Sequence, residues 1–249
     1  MSKKHYQGPE TRGRTDKMSK EEIHQRFENE NSANYIERSM NWLPEEEYVM
    51  QLVIDFLRHA FGESSGRILD LGAGTGRLAR HILGHFDKLK ITLMDFSANM
   101  IKAVPEVLQN YNGRYRTICA DFFNACLGRE QYNAVVSSFA IHHGRNEETY
   151  LNLYKNIHET LMPGGIFLCL DVIDGDNTLF AEFGEVGWTS FLEKQDFQPD
   201  DIETIMSNYH TEDSPVSLNK HFELLKAAGF NQVDILWKKY NFGVYVGVK

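Results

Sequence analysis

Residues 67 to 76, Arg-Ile-Leu-Asp-Leu-Gly-Ala-Gly-Thr-Gly, constrain the fold of this chain more than any other stretch. An apolar segment typical of a buried strand runs directly into alternating glycines and then into a segment that predicts a helix from Arg77. Glycine accepts positive φ and leaves no Cβ between the main chain and a ligand, while the first N–H groups of the helix point into the same space. The pattern therefore predicts a turn that binds a nucleotide cofactor.

The spacing of the glycines separates two classes of cofactor. A dinucleotide fingerprint G-x-G-x-x-G that starts at Gly72 requires glycine where Arg77 stands, and the third glycine comes one residue early, at Gly76. The pattern Asp-x-Gly-x-Gly-x-Gly instead resembles motif I of the class I S-adenosylmethionine (SAM)-dependent methyltransferases. The resemblance implies that the methionine end of SAM is held by Asp70, Gly72, Ala73 and Gly74.

A second predicted strand, Lys90 to Asp95, ends in a carboxylate. A parallel α/β sheet places an acceptor for the two ribose hydroxyls at this position, and Asp95 is our candidate. The alternative role is an N-cap for the next helix, which Ser97 can also supply. In the same interpretation Phe96 lies against one face of the adenine.

The third predicted strand, residues 115 to 119, is followed by Asp121 and two phenylalanines. Ligands collect at such carboxyl strand ends in open α/β sheets. The resemblance implies that Asp121 takes the adenine amino group and that Phe122 packs on the ring. A loop aspartate beside core phenylalanines is the structural alternative.

The fourth predicted strand, Tyr132 to Ser138, leads into Phe-Ala-Ile-His-His-Gly, which resembles the family's fourth motif. The resemblance implies that Ser138 borders the cofactor. If the acceptor must lose a proton, His142 and His143 are the candidate catalytic bases, because an imidazole titrates near working pH. For each of them a structural role beside the cofactor is the alternative.

The resemblance implies a Rossmann-like α/β fold, with a doubly wound, seven-stranded, mostly parallel sheet whose last strand is antiparallel. We expect a mobile segment over residues 1–20 and a single methyltransferase domain over residues 21–249. The expected parts of that domain are N-terminal helices that form a lid (21–62), the SAM-binding core (67–173), a helical insert after strand five that forms the acceptor pocket (174–215), and a final helix and hairpin (216–249).

The lid is expected to contribute two further cofactor residues. Tyr35 and Arg38 lie in a segment that resembles the N-terminal lid of small-molecule methyltransferases, where an aromatic and an arginine close over the methionine end of SAM. A surface helix with a solvated arginine is the alternative.

Composition narrows the expected partners. The net charge of −9 and the pI near 5.6 argue against a broad phosphate-binding surface, although a local basic patch is compatible with both. The 3 cysteines are odd in number, and we interpret them as reduced thiols. The spacing of the cysteines and histidines predicts no metal site. We also expect a cytoplasmic protein, because the N-terminus is polar and no apolar run approaches the roughly 20 residues of a membrane span.

The predicted function is transfer of the SAM methyl group to an O or N nucleophile of a small-molecule acceptor, with S-adenosylhomocysteine as product. Two alternatives stay open. One is a tRNA wobble-uridine (carboxy)methyltransferase, which would require a basic face. The other is a SAM-binding, non-catalytic partner protein. A homodimer is compatible with each of these functions.

Overall fold

A computed structural model describes residues 17–29, 41–62 and 64–249 of the chain. Most of the segment that we predicted to be mobile lies outside these residues, and so do the two lid candidates Tyr35 and Arg38. Both of those predictions therefore stay predictions.

The described residues form one seven-stranded sheet with the strand order β3-β2-β1-β4-β5-β7-β6. Strand β7 pairs antiparallel with both of its neighbours, and the other pairings are parallel, which confirms the predicted fold class. The strands are β1 (Gly66–Leu71), β2 (Leu89–Asp95), β3 (Tyr115–Cys119), β4 (Tyr132–Ser138), β5 (Leu161–Val172), β6 (Gln232–Lys239) and β7 (Phe242–Val248).

Helices cover both faces of the sheet. Consecutive residues of a strand point to opposite faces, so in β4 Ala134 and Val136 join one buried apolar cluster while Val135 joins another. The α-helices of the described residues are α1 (Lys20–Asn29), α2 (Glu46–Phe61), α3 (Arg77–His85), α4 (Ala98–Val107), α5 (Glu147–Thr160), α6 (Thr178–Lys194), α7 (Pro199–Thr211) and α8 (Leu218–Ala227).

The glycine turn lies at the point where the strand order of the sheet reverses, between β1 and β4. Strand β1 lies between β2, which follows it in the chain, and β4, which returns on its other side. In open α/β sheets this crevice at the carboxyl ends of the strands is where ligands bind. The predicted site residues follow β1, β2, β3 and β4, so they meet at this edge.

Helices α6 and α7 form the predicted insert between β5 and α8. Trp188 of α6 is buried and its indole N–H donates to the main-chain oxygen of Trp42, 3.0 Å away. The other face of α6 is exposed and apolar, because Phe180, Phe183 and Val186 all point outward. This apolar face of α6 therefore does not pack on the sheet.

None of the helices in the described part of the chain is long and apolar enough to cross a membrane.

Candidate functional site

The turn after β1 is held in place by the end of β2. The main-chain N–H groups of Gly72 and Ala73 both donate to the Met94 main-chain oxygen, at 2.8 and 3.1 Å. Gly72 has a φ of 66°, and a Cβ there would lie 2.1 Å from the Ala140 Cβ. Gly74 has a φ of 53°, but a Cβ there would meet no heavy atom within 4 Å. Close packing therefore requires glycine at position 72, whereas Gly74 faces open space.

Asp95 connects the glycine turn to the next helix. Its Oδ2 accepts from the Gly74 N–H at 2.8 Å, and its Oδ1 accepts from the Ser97 N–H at 2.9 Å. Ser97 is itself the N-cap of α4, because its Oγ accepts from the Met100 N–H. Burial raises the pKa of Asp95, although these two N–H donors oppose the shift. The carboxylate is thus fixed in orientation at the wall of a cavity.

Asp70 lies behind the turn. The side chain is fully buried, and neither carboxylate oxygen has a hydrogen-bond partner among the described residues. Burial, together with the nearby Asp95 charge, raises the pKa of Asp70 well above its usual range. An unsatisfied buried carboxyl group is costly, so this position favours the arrival of a polar or cationic group.

Helix α1 covers the region predicted to bind adenine. The His24 ring stacks on Phe96 with the ring centroids 4.0 Å apart and the planes at 13°. Lys20 forms an ion pair with Asp121. The cavity left between α1 and the glycine turn measures about 70 Å³, well below the roughly 300 Å³ at the small end of ligand pockets. Helix α1 must therefore move before a nucleotide can enter.

A second cavity of about 410 Å³ lies beside the first. Helices α6 and α7, the segment around Trp42 and the turn after β4 enclose it. Its walls combine rings, among them Trp188, Phe197 and Tyr209, with polar side chains from α7. Phe27, Phe139 and His143 line both cavities, so the two spaces meet at these residues.

His142 is held between two aspartates in the 3₁₀ turn after β4. Its Nδ1 lies 2.5 Å from Asp171 Oδ1, and its main-chain N–H donates to Asp171 Oδ2 at 3.0 Å. Its Nε2 lies 3.3 Å from Asp213 Oδ1. Burial lowers the pKa of His142, but Asp213 and Asp171 outweigh that effect and raise it well above its usual range.

His143 packs against His142, with ring centroids 4.2 Å apart. Its Nδ1 lies 3.7 Å from Asp213 Oδ1, is buried, and has no hydrogen-bond partner among the described residues. Burial and the His142 charge lower the pKa of His143 to about 3. The two neighbouring rings thus differ in charge at neutral pH.

The structure brings most of the predicted residues to these two cavities. His142 lines the larger one. Asp70, Ala73 and Ser138 lie close by in the chain but are not in the described walls of the smaller cavity. The predicted residues that do line the smaller cavity are Gly72, Gly74, Asp95, Phe96, Asp121, Phe122 and His143.

Two residues of the histidine cluster were missed in the sequence. Asp171 is a buried carboxylate within the apolar strand β5, and a charged residue in such a run is a signal that could have been read. Asp213 follows α7 in a polar stretch with no distinguishing pattern. Only the fold brings it to the histidines.

The residues present fit SAM. The open face at Gly74 lets the main chain approach a ligand, and the unpartnered Asp70 carboxyl group lies behind the turn where the methionine ammonium is expected. Asp95 and Asp121 supply carboxylate acceptors, and Phe96 supplies a ring face for a purine.

Comparisons with known proteins agree with this geometry. The family described as a methyltransferase domain matches residues 68–165. A carboxy-S-adenosyl-L-methionine synthase of Nautilia profundicola is 22% identical over 236 residues, which is 94% of this chain and 99% of that protein. The corresponding synthase of Helicobacter hepaticus is 23% identical over 246 residues, and this match again covers 94% of this chain and 99% of the length of that protein.

Solved structures show the same fold. Phosphoethanolamine N-methyltransferase 2 of Haemonchus contortus, bound to phosphomonomethylethanolamine and S-adenosylhomocysteine, superposes with a TM-score of 0.59 at 16% identity. The match covers 80% of this chain and 52% of that one, so this chain spans about half of the solved protein.

Proposed function

We propose that this chain is a class I SAM-dependent methyltransferase and that it transfers the SAM methyl group to an oxygen or nitrogen atom of a small molecule in the 410 Å³ cavity. One observation carries the proposal: the wall residues Phe27, Phe139 and His143 are common to the cofactor cavity and the larger cavity. A donor and an acceptor in these spaces would meet at that shared wall.

The chain's own residues supply proximity and orientation. SAM carries an electrophilic methyl group on a sulfonium, and holding a nucleophile in line with it removes much of the entropic barrier. In the proposal Asp95 and Asp121 fix the nucleoside, while the Gly72–Gly74 turn and Asp70 hold the methionine end. The two lid candidates, Tyr35 and Arg38, stay predictions because they lie outside the described residues.

Phe139 supports a role for the shared wall. It has a φ of 52°, a left-handed conformation that a residue with a side chain rarely adopts. Such strain costs on the order of 1 to 3 kcal/mol and is concentrated at functional sites. Its ring contacts Trp42 and Phe242 across the larger cavity, with ring centroids 5.8 and 6.1 Å away.

His142 and His143 are the residues proposed to activate the acceptor. Both line the larger cavity, and His143 also faces the cofactor side. The His143 ring can accept a proton from the nucleophile, whereas the raised pKa of His142 keeps that ring charged and unable to do so. Alternatively, the two rings could hold a metal ion that displaces the His142 proton and makes the nucleophile more acidic.

The wall of the larger cavity favours a neutral or cationic ring compound as acceptor. Aromatic side chains form much of it, and several carboxylates lie among its polar residues. Arg26 is the single arginine or lysine among the described wall residues, and it forms an ion pair with Glu212 at 2.7 Å. A strongly anionic acceptor would meet more carboxylates than cations there.

A second candidate function follows from the full-length relatives. Two relatives are named carboxy-SAM synthases, and each match covers 94% of this chain and 99% of the relative's own length. In that function SAM is the substrate to be modified, and the larger cavity holds the source of the carboxyl group. The carboxylates of the described wall disfavour an anionic source.

The two remaining alternatives have less support. A tRNA acceptor would require a basic face, which the net charge of −9 argues against. A non-catalytic SAM-binding partner protein would not need a second cavity that shares wall residues with the cofactor site.

Isotope-labelled SAM tests the proposal. The protein is incubated with trideuteromethyl-SAM and pooled cell metabolites, and the products are analysed by mass spectrometry. We expect a labelled metabolite whose yield falls with His143→Ala and not with His85→Ala, a histidine on the distant helix α3. Carboxylated SAM as the main product would instead establish the synthase function, and no modified product at all would favour the partner protein.

A further inference from the structure

The turn after β4 and the loop after α7 bring three side chains with metal-binding atoms together. We propose that His142 Nε2, His143 Nδ1 and Asp213 Oδ1 bind a divalent first-row transition metal ion at the wall of the acceptor cavity. The sequence predicts no metal site, because Asp213 is distant in the chain from the two histidines.

The distances between the three side chains fit one ion. His142 Nε2 and His143 Nδ1 lie 3.3 and 3.7 Å from Asp213 Oδ1. Ligand atoms of the three residues all lie within 4.8 Å of one another. Metal–ligand bonds of about 2.1 Å in tetrahedral geometry separate neighbouring ligand atoms by roughly 3.4 Å. Small side-chain adjustments therefore place all three atoms on a single ion.

Asp171 orients the first ligand. It lies 2.5 Å from His142 Nδ1, which leaves Nε2 directed toward Asp213. A histidine that donates its other ring N–H to a carboxylate is the usual arrangement at protein metal sites, because it fixes the tautomer and the ring. Asp171 also accepts from the His142 main-chain N–H, so the ring and its backbone share one anchor.

Asp213 is fixed by its neighbours. The Ser214 N–H donates to the His142 main-chain oxygen at 2.9 Å, and the Tyr150 hydroxyl donates to the Ser214 main-chain oxygen at 2.9 Å. Lys17 donates to the main-chain oxygen of Asp213. The loop after α7 is thus attached to the histidine turn before any ion binds, which is the preorganisation that a metal site requires.

His143 supplies the remaining ligand. Its Nδ1 is buried and has no hydrogen-bond partner among the described residues. A buried polar atom without a partner is unusual and calls for an explanation, and a bound ion is one that fits the neighbouring His142 and Asp213. Coordination to an ion would satisfy this nitrogen.

Two histidines and one carboxylate leave coordination positions open, as catalytic metal sites do. All three residues line the 410 Å³ cavity, so the open positions face the acceptor. This part of the inference rests on the proposed function: the acceptor would be a compound that coordinates through a hydroxyl or enol oxygen. A bound ion would make that hydroxyl more acidic, and its proton would pass to water. The oxygen would then form a bond to the methyl carbon as the methyl–sulfur bond breaks, and S-adenosylhomocysteine would leave.

Cobalt binding tests the site without any assay of activity. The chelator-treated, full-length protein is titrated with Co²⁺ alone, and visible absorption and calorimetry are recorded. We expect one saturable site with ligand-field bands. His143→Ala and Asp213→Asn should weaken binding by at least roughly 100-fold, and Asp171→Asn by about 10- to 100-fold, the range for residues that orient a metal ligand.

His81 and His85 provide the matched control. They form another histidine pair, four residues apart on α3, with ring centroids 4.8 Å apart. The double variant His81→Ala/His85→Ala should bind Co²⁺ as the wild type does. Weak wild-type binding that His143→Ala does not change, or binding lost only in the α3 variant, would overturn the site.

SAM titration of the same samples keeps the two proposals apart and shows whether each variant is folded. Variants that bind SAM normally but no longer bind Co²⁺ support the metal site. Wild-type protein that binds SAM but shows no cobalt site overturns the metal inference and leaves methyl transfer standing. Cobalt binding without SAM binding contradicts the proposed function alone.

Discussion

At the scale of single residues, the candidate site depends on aspartates that each face the site and also make hydrogen bonds that hold the local structure. Asp95 accepts the N–H groups of Gly74 and Ser97 and also forms part of the cavity wall. Asp213 faces His142 and His143 with its side chain, and its main-chain oxygen accepts from Lys17. Substituting such a residue affects local structure and ligand binding together, so each test needs a control that affects only one of them.

Asp95→Ala should weaken SAM binding by about 1 to 3 kcal/mol, because a buried carboxylate acceptor for the ribose is lost. Isothermal titration calorimetry measures the change. Asp87→Ala removes an acidic residue at an exposed position of the loop before β2 and should leave the affinity unchanged. Unchanged affinity in folded Asp95→Ala would refute the ribose assignment.

Gly74→Ala and Gly113→Ala form a matched pair. Both glycines have positive φ, 53° and 81°, and a Cβ at either would meet no atom within 4 Å. The conformational cost of about 1 to 2 kcal/mol should therefore be similar in the two variants. Thermal unfolding should show similar losses, but only Gly74→Ala should lose SAM affinity, because Gly74 alone of the two lines the cofactor cavity. Equal SAM affinities would place the cofactor elsewhere.

The residue roles that sequence could predict are those set by local spacing. Asp95 is the last residue of β2 and Asp121 comes shortly after β3, so the ends of these strands fix their place at the sheet edge. Asp213 could not be predicted in this way, because its position depends on how α7 and the following loop return to the β4 turn. The roles of the predicted residues toward SAM stay predictions.

At the scale of secondary-structure elements, α1 is the element whose position sequence did not predict. A lid was expected in residues 21–62, and its candidate contacts to the methionine end, Tyr35 and Arg38, lie outside the described residues, so that expectation stays a prediction. The described helix of this range, α1, lies on Phe96 and Asp121, the candidate adenine contacts. Its own residues explain this position. Glu28 accepts from the Ala98 N–H at the start of α4, at 2.6 Å, and Phe27 packs edge-on against Phe96.

His24→Ala should strengthen SAM binding, because the imidazole and the adenine compete for the same face of Phe96. An aromatic contact of about 0.5 to 1.5 kcal/mol corresponds to roughly 2- to 10-fold in affinity. Calorimetry with SAM measures it, and His59→Ala on the exposed side of α2 is the control. A weaker affinity in His24→Ala would show instead that α1 closes over the bound cofactor.

His221 makes the docking of α8 dependent on pH. Its Nδ1 lies 2.7 Å from the Tyr154 hydroxyl, its ring stacks on Tyr245, and burial lowers its pKa from 6.5 to about 4. As the pH falls below 6.5 the unfolded chain takes up a proton that the folded chain does not take up until about pH 4. The His221 contribution to stability is therefore present above pH 6.5 and is lost between pH 6.5 and 4, by roughly 3 kcal/mol.

Urea unfolding at a series of pH values tests this prediction. His221→Gln should reduce the slope of the unfolding free energy against pH between pH 6.5 and 4 by the share of one proton, while His143, whose pKa is lowered to about 3, keeps contributing in the same range. The exposed His59→Gln should keep the wild-type slope. A wild-type slope in His221→Gln would show that another group is responsible.

At the scale of the whole molecule, the order of the strands decides where the candidate site lies. The turn after β1, the ends of β2 and β3, and the turn after β4 meet at one edge because β1 pairs with β2 on one side and with β4 on the other. The resemblance to class I SAM-dependent methyltransferases implied this sheet, and the structure confirms it. A pocket formed by the insert was expected, but the walls of the larger cavity could not be predicted, because it forms only where the insert, the segment around Trp42 and the histidine turn pack together.

Calorimetric titration of the wild-type protein with SAM, S-adenosylhomocysteine and NADH tests the central claim most directly. The geometry of the glycine turn predicts micromolar binding of both sulfur nucleotides and no binding of NADH. Absence of binding by SAM and S-adenosylhomocysteine would contradict the account, whatever the acceptor cavity holds.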